Sequence, residues 1–247
     1  MALPSFRNFQ KKGSNALNIL TAGLQRWMDQ LYATFIETEY YTYLIEGLIN
    51  TILITVGALL IGVVIGLAIT IGKYLCEDVP ALKPIAWLCD LYVNVIRGIP
   101  VVVLLLIFFF IIMKTSNNGV LVAILTFGIN SGAYMAELIR GGIGAVDKGQ
   151  TEAGRSLGFS KLQTMSRIVI PQAVKHVLPA MGNEFIALLK ETSVAGYVAV
   201  VDLTRGGNLI RNNTFDAVNP LLIVALTYLI MVFTLTGLLH KLERKLA

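Results

Sequence analysis

Leu44–Gly72 reads LIEGLINTILITVGALLIGVVIGLAITIG and carries no charged residue after Glu46. A membrane-crossing helix needs about 20 mostly apolar residues at about 1.5 Å each, so this stretch is long enough to span. Four further runs extend the reading: Ile85–Met113, Gly119–Ile139, Val177–Val201 and Val218–Leu239. Continuous runs of this kind exclude a β-barrel, whose strands alternate apolar and polar residues. The expected fold class is an all-α integral membrane protein with five transmembrane helices. Composition agrees. Of 247 residues, 55% are hydrophobic and 14% charged, against roughly 25% charged in an ordinary globular domain. Mean hydropathy is +0.71. These values exclude a soluble domain and a disordered chain.

The chain divides into a leader, residues 1–43, a membrane domain, residues 44–240, and a short tail, residues 241–247. The first residues are polar and basic with no apolar core of a signal peptide. Residues 16–32 carry Leu17, Leu20, Leu24, Trp27 and Leu31 at helical spacing, interleaved with Gln25, Arg26, Asp29 and Gln30, as in a helix lying in the membrane interface. Tyr40, Tyr41 and Tyr43 mark headgroup level. The net charge of +5 reports orientation rather than affinity for nucleic acid. With five spans, the 73–84 loop, the 140–176 loop and the tail share one side, and they hold most of the Lys and Arg outside the leader. That side is cytoplasmic by the excess of basic residues. The C-terminus is then cytoplasmic and the N-terminus external, although Arg7, Lys11, Lys12 and Arg26 stand against it. Cys76 and Cys89 are expected to be reduced thiols. With His176 and His240 as the sole histidines, no zinc site is read.

Polar groups inside spans are costly and face a bundle interior or cavity. Asp90, Asn94 and Arg97 share a helix face, where Asp90 and Arg97 can neutralise one another or line a pathway. Pro100 should kink that helix. Asn130 and Glu137 interrupt the third span. The fourth holds Asn183, Glu184, Lys190, Glu191, Thr192 and Ser193. A Lys beside a Glu suits both ends of a zwitterion, or else each pairs within the protein. Gly62 with Gly66, and Gly128, Gly132 and Ala136, recur at four-residue steps that let helices approach closely, within the bundle or between subunits.

The coupling loop, residues 141–176, reads as two short helices. Asp147 can cap the first, Gly158 can supply a left-handed stop, and Ser160 with Gln163 forms a capping box for the second, which ends before Pro171. Gly149, Gln150, Glu152, Ala153 and Gly154 offer small side chains and one carboxylate, while Leu157 and Phe159 add apolar knobs. A capped element of this kind suits docking into a groove on a partner.

Glu152-Ala153-Gly154, then Gly158, then Ile168 and Ile170-Pro171 resembles the cytoplasmic EAA loop of ABC importer permeases. Gly154 stands where Ala is usual, and Ile170 where Leu is usual. Gly47 and Thr51, Arg97-Gly98-Ile99-Pro100, Ala133 through Ile143, Lys148-Gly149-Gln150, Pro171-Gln172-Ala173 and Lys190-Glu191-Thr192-Ser193 extend the resemblance over residues 44–240, to the polar amino acid permeases of the histidine, glutamine and arginine type. The resemblance implies the five-helix core of a type I importer permease. It implies a second permease subunit, homo- or heteromeric, and a cytosolic ABC ATPase homodimer on the loops. It also implies an external amino-acid-binding protein and the bacterial inner membrane as location. Substrate contacts would come from Lys190, Glu191, Thr192 and Ser193, with Asn183 and Glu137 as further candidates. Glu191 replaces the usual Asp. No cofactor is expected on this chain, and ATP-Mg belongs to the partner. Gly66 to Lys73 has the wrong spacing and an apolar setting for a phosphate loop. A membrane-embedded enzyme would need a nucleophile with a base, or a metal. A stand-alone secondary amino acid transporter would favour inverted repeats, which five spans do not show.

Overall fold

The computed structural model describes residues 21–76 and 79–246, and every regular element among them is helical. Helix α1 covers 21–32 and continues as one π-helical turn, Ala33–Glu37. A left-handed residue, Glu39, turns the chain into α2, Tyr41–Cys76. After a 3-10 turn come α3, Lys83–Gly98, and α4, Val101–Ile107, which passes into a π-helical turn, Phe108–Ile112. Then follow α5, Gly119–Gly144, α6, Lys148–Ser156, and α7, Lys161–Thr164. A π-helical turn, Met165–Val169, leads into α8, Ile170–Glu191, and a 3-10 segment, Thr192–Val198. The last elements are α9, Leu203–Thr214, and α10, Asn219–Leu246.

Helices α2, α5 and α10 are each long and apolar enough to cross a membrane. The expected second span is not one kinked helix. Residues Pro80–Gly98 and Val101–Ile112 meet at 105°, because Ile99 is extended before Pro100 (φ −104°, ψ 130°), as the residue preceding a proline prefers. Counted as one broken span, the pair makes four. The remaining expected span is α8, whose 22 residues reach about 33 Å but whose polar residues dilute its apolar character. It starts earlier than expected, at Ile170, with Pro171 in its first turn where a missing N–H costs nothing. Its α-helical part stops at Glu191.

Helix α5 is the centre of the bundle. It packs against α2, α3 and α8. A Cβ on Gly62 would lie 2.8 Å from Ser131 Oγ, and one on Gly66 2.5 Å from Met135 Cβ. Reciprocally, Gly128 and Gly132 receive Ile61 and Ile65. Both indices rise together, so α2 and α5 run parallel with backbones in near contact, and the small-residue steps serve packing inside this chain. Lipid is as apolar as the side chains, so this close van der Waals fit, rather than hydrophobic burial, holds the pair. Ile54, Ala58, Leu105, Ala123, Phe127 and Leu188 form the core beside it. Helix α8 runs antiparallel to α5, with Gly142 against Val177 and Ser131 against Glu184.

Candidate functional site

Lys190 and Ser193 open onto one cavity of about 300 Å³ with Thr204, Leu221, Val224, Ala225 and Tyr228. The wall thus combines the end of α8, the 3-10 segment, α9 and α10. Thr204 donates to Tyr228 Oη at 3.4 Å. An ammonium among three hydroxyls is an acceptor-seeking arrangement, suited to a carboxylate. Helical geometry places Glu184 and Glu191 about 20° apart and Lys190 about 100° from Glu191. The end of α8 therefore has a cationic edge, with Asn183 on the same stripe as Lys190, and an adjacent acidic edge. Glu184 and Glu191 are half-buried, and Ser131 Oγ donates to Glu184 Oε1 at 3.3 Å. Thr192 is fully buried and its hydroxyl donates to Leu189 O at 2.7 Å, so it faces packing rather than the cavity.

Glu137 lies elsewhere. It sits near the coupling-loop end of α5, where Arg140 donates to both its oxygens, at 3.1 and 2.7 Å. Arg97 NH1 is 3.7 Å from Oε2. A second cavity of about 420 Å³ includes Glu137, Arg140, Lys73, Tyr74 and Val93. The expectation that Asp90 neutralises Arg97 is corrected here. Lys73 of α2 holds Asp90, while Arg97 turns to Glu137 and lies 5.2 Å from the Tyr134 ring centroid. Each charge finds a partner on the helix packed against α3 rather than on α3 itself. Asn94 is exposed and Pro100 stands at the break between α3 and α4. A larger cavity, about 780 Å³, opens at the end of the bundle away from the coupling loop, among Glu46, Asn50, Asn118 and Val200.

The caps of the coupling loop form as expected, but its second helix does not end before Pro171. Lys161–Thr164 runs through the π-helical turn into α8 without a break, because a proline in the first turn of α8 gives up no needed N–H. Asp147 accepts from Gly149 N at 2.6 Å. Gly158 has φ +85°. Ser160 and Gln163 complete the capping box, with N–H to oxygen distances of 3.2 and 2.9 Å. Gln150, Glu152 and Ala153 are exposed on α6, and Leu157 is 78% exposed. Phe159 is half-buried and its carbonyl accepts from Arg155 at 2.9 Å. Gly154 is not displayed. It is buried, and a Cβ there would meet Ile168 and Thr164 at 2.8 Å, so it lets α6 lie against the following turns.

Between α9 and α10, burial opposes ionisation of Asp216. Hydrogen bonds from the Val218 and Asn219 N–H groups and the Asn219 amide outweigh it and hold the carboxyl below its ordinary range. Tyr228 and Thr204 are site features that the sequence did not single out. A tyrosine well inside the uncharged Val218–Leu239 run was the available signal for Tyr228.

Residues 62–247 match the family described as binding-protein-dependent transport system inner membrane component, and the chain belongs to that family. It is 33% identical to the arginine transport system permease protein of Bacillus subtilis (strain 168), over 83% of this chain and 92% of that one. It is 35% identical to the glutamine transport system permease protein of Escherichia coli (strain K12), over 82% and 92%. Among solved structures it resembles an amino acid ABC transporter crystallised with histidines, with a TM-score of 0.78 and 39% identity over 85% and 96% of the chains. The inward-facing MetNI methionine transporter shares the fold, with a TM-score of 0.72 at 20% identity over 84% and 97%. The fold and relatives thus define an inner-membrane permease subunit of an amino acid ABC importer. Permeases of this class have no ATPase site and carry no cofactor of their own.

Proposed function

We propose that this permease carries polar amino acids and that the Lys190 cavity with the adjoining Glu191 edge is the substrate site. Lys190 takes the α-carboxylate with help from Ser193, and the carboxylates of Glu191 and Glu184 take the ammonium. The supporting observation is that one helix end presents a cation in a hydroxyl-lined cavity and two half-buried carboxylates on the neighbouring stripe. The names of the arginine and glutamine relatives agree with a polar substrate. Glu137, engaged with Arg140 and Arg97, belongs to the inner end of the path, together with Asp90, Asn94 and Pro100.

Energy enters through α6, Leu157 and Phe159, docked on a cytosolic ABC ATPase homodimer that binds ATP-Mg. ATP closes that dimer, draws the coupling helices of two permease subunits together and opens the bundle outward, toward an external binding protein. The coupling loop and C-terminus are cytoplasmic, and the N-terminus is external.

Uptake by the complete transporter in proteoliposomes tests the site. Lys190→Ala and Glu191→Ala should each lower kcat/KM about 30-fold or more, as loss of a charged partner implies, with the complex still assembled. Parental uptake by assembled Lys190→Ala removes the cavity from the pathway. Gly158→Leu should detach the ATPase on purification, and an ATPase that stays bound and stimulated refutes the docking assignment.

A further inference from the structure

The permease reading makes no use of α1, yet α1 is tied to α10 by one specific bond. Trp27 Nε1–H donates to Asn219 Oδ1 at 2.7 Å. Asn219 is the first residue of α10 and only 6% exposed. Its amide nitrogen donates to Asp216 Oδ2 at 2.6 Å, and Asp216 Oδ1 accepts the Val218 and Asn219 backbone N–H groups at 2.9 and 3.2 Å. An indole can only donate. Trp27 therefore fixes which way the Asn219 amide points, and that orientation in turn holds the capping carboxylate. Four residues of the α10 wall, Leu221, Val224, Ala225 and Tyr228, line the Lys190 cavity along one helical stripe. Val224 is already seated on Gly207, where a Cβ would approach it to 2.5 Å. A tilt or rotation at the head of α10 is consequently felt along that whole stripe.

The other side of α1 has its own chemistry. Leu24, Met28, Tyr32 and Ile36 step by four and are 50–58% exposed. One position earlier, Trp27, Leu31 and Phe35 step in parallel, and Phe35 is 7% exposed. Arg26, Asp29 and Gln30 occupy the opposite arc. This is the amphipathic layout of a helix in the plane of a phospholipid interface. The short, left-handed connection to the spanning helix α2 keeps α1 at that level, so lipid is the occupant of its outer stripe.

We infer that α1 is a lipid-seated strap holding the head of α10 through Trp27 and Asn219, and that these two are positioning residues for amino acid binding in the Lys190 cavity. The inference rests on reading that cavity as the substrate site. The test is uptake kinetics of the complete transporter in proteoliposomes with Trp27→Phe, Trp27→His, Asn219→Ala and the Phe/Ala double variant. Loss of one hydrogen bond should raise KM about fivefold in Trp27→Phe and leave kcat within about twofold. Asn219→Ala should raise KM similarly, the double variant no further, and Trp27→His, which keeps a ring N–H, should return KM toward the parent. Backbone hydrogen exchange at Asn219 and at residues 221–224 should quicken in Trp27→Phe, a readout that needs no transport. A parental KM in Trp27→Phe, multiplied effects in the double variant, or unchanged exchange would overturn the strap. If Lys190→Ala takes up substrate like the parent, the cavity reading itself fails. If Lys190→Ala is impaired while Trp27→Phe is parental, only the strap fails.

Discussion

Helices α2 and α5 touch through glycines, whereas α8, the 3-10 segment, α9 and α10 meet around lysine, serine, threonine and tyrosine and leave a cavity. In the first region backbones approach until no added carbon fits at Gly62 or Gly66. In the second, hydroxyls face empty space and a cation stands exposed. Dense packing has few alternative arrangements, while a polar wall around a cavity keeps groups available to a passing ligand. The same chain thus separates a close-packed seam from a cavity with polar walls.

That contrast can be broken by filling the tight contact. Gly66→Leu drives side-chain atoms into Met135 and should cost about 2–3 kcal/mol, seen as a large fall in thermal stability in detergent and loss of folded permease. Survival at parental stability would mean α2 and α5 are not the rigid half. A smaller effect should come from the other half. Ser193→Ala should leave stability within about 0.5 kcal/mol and lower substrate affinity about tenfold to thirtyfold, the lower part of the range for one hydrogen bond to a charged group. Acid should act at the Asp216 cap. Its carboxyl is held below the ordinary range, so its contribution is complete at neutral pH and is lost only as pH falls through the lowered pKa. Asp216→Asn should accordingly flatten the acid limb of the unfolding profile. The smallest change is expected at Gly237, where an added Cβ meets nothing within 4 Å. Gly237→Ala should raise stability by about 0.5–1 kcal/mol through helix propensity.

Local signals were the legible ones. Leu44–Gly72 needed only its own length to be read as a span. Asp147, Gly158 and Ser160 specify caps within three residues of themselves, and the coupling loop matched them. Ranges that depend on neighbours were read less well. Pro100 announced a kink, but the 105° turn also needs Ile99 extended, which converts one span into two pieces. Asp90 and Arg97 share a face of α3, so periodicity paired them. Their actual partners come from α2 and α5, 17 and 40 positions away, and no local pattern encodes that. Thr192 followed the polar run of its neighbours, yet it stands three and four residues after the buried Leu189 and Leu188 and shares their face. Thr204 and Tyr228 join the cavity only through tertiary contact. Residues 1–20 of the expected leader lie outside the described residues.

One consequence of the seven-residue 3-10 segment, Thr192–Val198, is mechanical. Just beyond it the chain is pinned to α2, by Asn50 Nδ2 on Val201 O at 2.9 Å and by Leu203 N on Thr51 Oγ1 at 3.1 Å. A 3-10 helix advances about 2.0 Å per residue at three residues per turn, against about 1.5 Å and 3.6 for an α-helix. Rewinding the segment to α would shorten it by about 3.5 Å and turn it through about 140°. With the far end fixed, that travel and rotation fall on Lys190 and Glu191. The segment has the geometry of a screw thread whose nut is α2, and the two charged residues sit where the thread joins α8.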